Sequence, residues 1–329
     1  MSENYTKILN SLFLDPIILD GNFSCILRKS NINNQQQQTN NMFSEKWTTF
    51  SKYDDKKNEI YHSFQRKWYL KLYGFDSEDE LRNYLSNKQI IFDAGCGLGN
   101  KAAWFAKLAP HALVIAMDIS EAALVASRKY KDVPNLFFVQ GDISANNFEA
   151  AKVDFVSCDQ VIMHTTNPEL TFSELCKVLS PNNGEIACYF YKKKALPREL
   201  LDDYFRLPSQ EHSVEDLWKL SEQLTELGRR LSDLNVSIDV PDIPILGIKG
   251  GSMDIQRFIY WNFIKCFFNQ DFGHQISASV NFDWYGPSNA RRFSKDQVMQ
   301  IIKNNNMNII YFHESEPCYA GRFTALSVI

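Results

Sequence analysis

Between residues 89 and 191 the apolar positions fall in short, dense runs separated by mixed stretches. The windows 89–92, 112–117, 136–140, 153–158 and 185–191 are each mostly apolar, the pattern of strands covered on both faces. Helical stretches fill the gaps. One starts at the glycine-rich loop after residue 94, one at Ser120, and one at Asn167 and Pro168, where Asn caps and Pro takes the first helical position. Such alternation predicts a parallel sheet with helices on both sides.

After Tyr191 the rhythm stops for about 100 residues, far beyond an ordinary connection, so an inserted subdomain is expected. Within it Leu217, Leu220, Leu224, Leu227, Leu231 and Leu234 recur at spacings of three and four, which predicts one amphipathic helix. Residues 239–244, with two prolines, end it. The aromatic-rich segment 253–268 has two readings, packing against other parts of the chain or lining a bound substrate. Ser294 and Gln297 form a capping box that reopens the alternation with a helix and two strands, 307–312 and 322–329. At the other end, residues 16–27 carry a turn at Asp20, Gly21 and Asn22, which suggests a hairpin. The polar tract 31–41 reads as a mobile connector. Residues 54–73 and a short helix capped by Ser77 and Glu80 form a helical segment before the sheet.

These readings divide the chain into an N-terminal hairpin, linker and helical cap (1–88), a Rossmann-like domain (89–192 and 293–329) and an inserted substrate or lid subdomain (193–292). A net charge of -4 gives no global reason to bind nucleic acid. The seven cysteines are scattered and never in a C-x-x-C pair, which fits reduced thiols rather than a disulfide framework or a zinc site. No apolar run approaches the roughly 20 residues needed to span a bilayer, and the N-terminus lacks an export signal. A cytoplasmic protein without membrane insertion is expected; its oligomeric state is not legible.

The chemistry centres on Asp93, Gly95, Cys96, Gly97 and Gly99, directly after the first strand. Glycines there let the backbone approach a ligand closely. A dinucleotide loop would read G-x-G-x-x-G, with its third glycine where this chain has Asn100, whereas these glycines fall at every second residue. An acid just before the loop suits a ligand with a cationic amino group, and the combination reads as an S-adenosylmethionine site. Ligands of such sheets lie at the carboxyl ends of the strands. Asp118 and Ile119 end the second, Gly141, Asp142 and Ile143 the third, and Asp159 and Gln160 the fourth. Asp118 is placed to accept from two ribose hydroxyls, and Asp142 from the adenine amino group. Each acid alone is equally a helix cap.

These residues resemble the class I S-adenosylmethionine-dependent methyltransferases. Residues 93–99 look like that family's first motif, Asp118 its ribose acid, Gly141 and Asp142 its adenine contact, and residues 178–184 its turn before the fifth strand, though without the usual Pro-Gly-Gly. The resemblance implies a seven-stranded sheet with an antiparallel last strand. Residues 189–206, 227–236, 254–269 and 281–285 further resemble a bacterial branch whose members have no assigned substrate; Gly286 departs from its pattern. S-adenosylmethionine is then the expected cofactor and a small molecule or glycan precursor the acceptor. The alternatives are a catalytically inactive cofactor-binding scaffold and, disfavoured by Asn100, a nicotinamide oxidoreductase.

Methyl transfer needs alignment more than covalent help. His164, after the fourth strand, is the candidate base, or it only orients substrate or caps a helix. Trp47 reads either as a cover over the cofactor's methionine end or as a core anchor. Tyr191, Asp283, Trp284, Tyr285 and Arg291 are candidate substrate contacts, Arg291 and Arg292 offering forks for carboxylate or phosphate. Lys192, Lys193 and Lys194 read as a solvated run or as an attraction for an anionic acceptor. No metal is expected, because the position after the fifth strand carries lysines.

Overall fold

The computed structural model describes residues 3–26, 32–52, 55–182, 184–209 and 211–326. Leu27, Asn31, Asp54, Asn183 and residues 327–329, which entered the expectations above, lie outside them. The chain divides into two compact units, residues 1–33, 65–191 and 291–329 in the first and residues 34–64 and 192–290 in the second. The sequence reading placed 34–64 with the N-terminal cap and set the insertion at 193–292.

The elements run α1 (Glu3–Leu12), β1 (Phe23–Cys25), α2 (Asn34–Phe50), α3 (Asp55–Tyr73), α4 (Glu78–Leu85), β2 (Ile90–Ala94), α5 (Asn100–Leu108), β3 (Leu113–Asp118), α6 (Ala122–Lys129), β4 (Leu136–Gln140), β5 (Phe155–Cys158), α7 (Pro168–Lys177) and β6 (Glu185–Tyr191). They continue with α8 (Leu196–Ser209), α9 (Val214–Asp233), β7 (Ser237–Val240), β8 (Gly251–Asp254), α10 (Ile255–Asn262), α11 (Gly273–Tyr285), α12 (Lys295–Asn304), β9 (Met307–Glu314) and β10 (Cys318–Ala325).

The first unit holds an eight-stranded sheet in the order β1-β4-β3-β2-β5-β6-β10-β9. Its strands are parallel from β1 to β6, and β10 runs antiparallel to both of its neighbours. Every residue of β3 and β5 is buried, as their unbroken apolar runs require. Each large aliphatic or aromatic side chain so buried contributes about 1.5–3 kcal/mol. The strand order reverses at β2, which has β3 on one side and β5 on the other, and it is at the strand ends beside such a switch point that sheets of this kind bind ligands. Asn167 caps α7 by accepting from Leu170 N, with Pro168 at the first helical position.

Two expectations are corrected here. The seven-stranded count becomes eight, because Phe23–Cys25 adds a parallel edge strand to β4 instead of closing a hairpin with residues 16–19. Only a short bridge, Asp20 to Phe23, remains of that turn. Three residues with no partner strand of their own carry too little periodicity to betray such a role.

The second unit is built on α9, whose leucine repeat forms the predicted helix, paired with α11. The segment after α10 also runs close to α9: at Gly228 a Cβ would lie 2.2 Å from Cys266 O. Residues 239–244 join an antiparallel hairpin of β7 and β8. The tract expected to be a mobile connector is instead the start of α2. Its amides bond along the helix, Gln36 to Asn40 and Gln37 to Asn41, and to a distant loop. Gln38 Nε2 donates to Gly286 O, and Gln38 Oε1 accepts from Ser288 N and Oγ. Thr39 and Gln36 take the amide groups of Asn289. Polar side chains need not bury apolar surface to be ordered when they supply the donors and acceptors that a buried loop lacks. No helix among the described residues is long and apolar enough to cross a membrane.

Candidate cofactor and acceptor sites

Strand β2 ends in Asp93 and Ala94, and the chain then turns through Gly95, Gly97 and Gly99 with φ of 82°, 51° and 74°. These are left-handed conformations that side chains resist. At Gly95 a Cβ would also stand 2.4 Å from the Val161 side chain. The loop is latched to the end of β3: Gly95 N and Cys96 N donate to Met117 O at 2.8 and 2.9 Å, and Gly97 N donates to Asp118 Oδ2 at 2.8 Å. Burial pushes the Cys96 thiol well above its ordinary pKa, so it stays neutral and offers its backbone.

The structure gathers the strand-end residues Asp93, Asp118, Ile119, Gly141, Asp142, Ile143, Asp159 and Gln160 along the carboxyl edge of β2 to β5. Their hydrogen bonds qualify the expected roles. Asp118 Oδ1 accepts from both Ser120 N and Ser120 Oγ while Oδ2 holds Gly97 N. A carboxylate has about four acceptor sites, and these bonds already use most of them, so ribose hydroxyls would compete there with Ser120 Oγ. Asp142 Oδ1 caps the short turn 143–145 through Ser144 N and Oγ. Gly141 N donates to Asp118 O, and a Cβ there would meet Ile26 at 2.9 Å. Gln160 sits at φ 63°, a strained position for a residue with a side chain.

Sequence reasoning missed three side chains here. Lys101, on the first turn of α5, lies 3.1 Å from Asp93 Oδ1 and 3.6 Å from Asp159 Oδ2. Tyr73 donates to Asp159 Oδ1 at 2.9 Å, and Tyr69 to Ser157 Oγ at 3.2 Å. Their spacing of one helical turn on α3 was the available signal; Lys101 had only its closeness to the loop. Asp93 is fully buried, and Oδ2 accepts no hydrogen bond among the described residues. Burial raises its pKa to about 6, against the pull of Lys101 and with help from Asp159 and Asp118. Lys101 moves the other way: burial disfavours its charge, but Asp93 and Asp159 outweigh that and hold its pKa above the ordinary lysine value. Three carboxylates thus face one ammonium.

His164 lies on a single turn after β5, is buried, and meets Tyr191 edge to face at 5.5 Å. Tyr191 ends β6 and also packs edge to face on Tyr189. Arg291 N donates to Met163 O. The guanidinium of Arg291, expected to grip a substrate, is engaged by Glu169 through two contacts of 2.6 and 2.5 Å at the surface.

The remaining candidates belong to the second unit. Trp47, on α2, has Lys46 Nζ 3.9 Å from its ring and packs edge to face on Phe50. Asp283 holds Lys46 with both oxygens, at 2.6 and 2.7 Å. Trp284 Nε1 and Tyr285 Oη both donate to Asp202, which also pairs with Arg198 at 2.8 Å. Tyr285 Oη in turn accepts from Lys265 N. Of the lysine run, Lys193 is exposed while Lys194 is half-buried and donates to Lys192 O.

A family model described as a methyltransferase domain matches residues 85–230. A sterol 24-C-methyltransferase of Debaryomyces hansenii is 33% identical over 94 residues, which is 28% of this chain and 25% of that protein. A trans-aconitate 2-methyltransferase of Deinococcus radiodurans is 43% identical over 53 residues, 16% of this chain and 20% of the relative. The chain thus spans a quarter or less of the length of these curated relatives. Among solved structures, PKMT2 from Rickettsia typhi in complex with AdoHcy superposes with a TM-score of 0.49 at 13% identity, covering 73% of this chain and 50% of that one.

Proposed function

We propose that the protein, whose residues 85–230 match a methyltransferase-domain family model, binds S-adenosylmethionine at its glycine loop and transfers the methyl group to a small-molecule or glycan-precursor acceptor. The observation that carries this reading is the charge around the loop. Asp93, Asp118 and Asp159 stand against Lys101, an excess of two negative charges where a ligand with two cationic centres, a sulfonium and an ammonium, would be neutralised. The unsatisfied Asp93 Oδ2 is the acceptor such an ammonium needs. When bound, the cofactor supplies an electrophilic methyl group on sulfur.

The chain's own residues do the rest. Gly95, Gly97 and Gly99 keep the floor free of side chains, Asp118 takes a ribose hydroxyl, and Asp142 Oδ2 takes the adenine amino group. Lys101 limits the cost of keeping Asp93 and Asp159 ionised together. His164, oriented by Tyr191, accepts the acceptor's proton at an imidazole nitrogen. The names of both curated relatives denote small-molecule acceptors, a sterol and trans-aconitate, in keeping with the class of acceptor proposed.

Calorimetric titration with S-adenosylmethionine and its demethylated product tests the cofactor; folded protein that binds neither overturns the reading. Incubation with methyl-labelled cofactor and a lysate of the source organism, followed by mass spectrometry, then identifies the acceptor.

A further inference from the structure

The second unit buries an excess of positive charge beside one indole. Lys265 Nζ lies 4.8 Å, Arg198 Cζ 5.1 Å and Lys194 Nζ 5.8 Å from the Trp284 ring, and Lys46 is buried beside Asp283. Three carboxylates stand among these four cations: Glu199, whose Oε1 accepts from Lys194 N, Asp202 and Asp283. Asp202 serves Arg198, Trp284 and Tyr285, while Asp283 serves Lys46 with both oxygens.

Lys265 is what remains. It is 6% exposed, and among the described residues its ammonium makes no hydrogen bond and no ion pair. A buried ammonium without a hydrogen bond or ion pair destabilises the fold. The protein relieves this in part by letting go of the proton. Burial lowers the pKa of Lys265 to about 7, Arg198 of α8 and Lys46 of α2 pushing the same way, while Asp283 of α11 and Asp202 of α8 oppose them. Trp284 adds a flat apolar wall at the same place.

We propose that Lys265, with Lys46 beside it, anchors an oxyanion, a carboxylate or a phosphate, of a small molecule bound in the second unit. This anion site lies within the second unit and stands independently of the function proposed above. Binding of the oxyanion returns the proton to Lys265 and supplies the direct ion-pair partner that it lacks.

The test is calorimetric titration of the full chain with sulfate, which keeps one charge state between pH 6 and pH 8. Sulfate should bind about tenfold more tightly at pH 6 than at pH 8, as a group with a pKa near 7 passes from mostly protonated to mostly neutral. Lys265→Met should weaken binding at least tenfold. Lys265→Arg should keep it and abolish its pH dependence, since a guanidinium does not titrate there. Competition at pH 7 between sulfate and either succinate or methyl phosphate distinguishes a carboxylate from a phosphate ligand. Absence of binding by all three anions at millimolar concentration, or equal binding by wild type and Lys265→Met, overturns the proposal. A parallel titration with S-adenosylmethionine separates the two readings: a misfolded variant loses both ligands, whereas wild type that binds sulfate but no cofactor sinks only the methyltransferase reading.

Discussion

The two units bury charge of opposite sign. Around the glycine loop, Asp93, Asp118 and Asp159 outnumber Lys101; around Trp284, Lys46, Lys194, Arg198 and Lys265 outnumber Glu199, Asp202 and Asp283. Within each of these clusters burial also shifts a charged group toward neutrality. Asp93 is raised to about 6 and Lys265 lowered to about 7. An unliganded protein that pays for such shifts stores part of its folding free energy as readiness for a counter-ion, and the sign of the shift reports the sign of the ion.

The largest expected effect separates chemistry from binding. His164→Ala should lower turnover by about 10²–10⁴-fold and leave the cofactor Kd nearly unchanged; unaltered turnover with the identified acceptor would remove His164 from the mechanism. Next is stability. Because Lys265 has a folded pKa near 7 and an unfolded value near 10.5, the unfolded chain binds more protons between those limits, and wild type loses stability as pH falls through that window. Lys265→Met should therefore stabilise the ligand-free protein at pH 7 by about 2–4 kcal/mol in urea unfolding. A destabilised variant would mark the lysine as a packing residue and break the comparison.

Asp118→Ala should weaken cofactor binding at least tenfold, about 1.4 kcal/mol, because it removes a hydroxyl acceptor and the clamp on Gly97 N together. The smallest effect is in protons. Cofactor binding near pH 6 should release up to about half a proton as the arriving cation lowers the Asp93 pKa, and oxyanion binding near pH 7 should take up a similar fraction at Lys265. Titrations in buffers of different ionisation enthalpy measure both. Equal signs at the two sites would erase the contrast between the units.

Much of the first unit was legible because its signals are local and dense. Buried parallel strands announce themselves as apolar runs, and three glycines at alternate positions leave few alternatives for the turn. Strand β1 was hidden because its three residues take their identity from β4 rather than from their own pattern. Lys101 was hidden for a related reason: its meaning lies in Asp93 and Asp159, which only the fold brings to it. In the second unit the leucine repeat gave α9, whereas α2 was obscured by polarity. The tract that seemed unable to order itself is ordered by a loop some 250 residues later. Lys265 sat unremarked among the aromatics of 253–268, where charge is easily overlooked.

That distance has a consequence for how the protein is made. Gln38 meets Ser288 across 250 residues of chain, so at about 5–20 residues per second the first part of α2 waits roughly 12–50 seconds on the ribosome side of synthesis before its partner loop exists. An apolar helix waiting that long would invite aggregation. A tract of glutamine and asparagine can remain hydrated meanwhile, and limited proteolysis of arrested nascent chains should find it cleavable until residue 289 has emerged. The polarity of α2 thus lets a segment translated early stay in solution until the last piece of its own unit arrives.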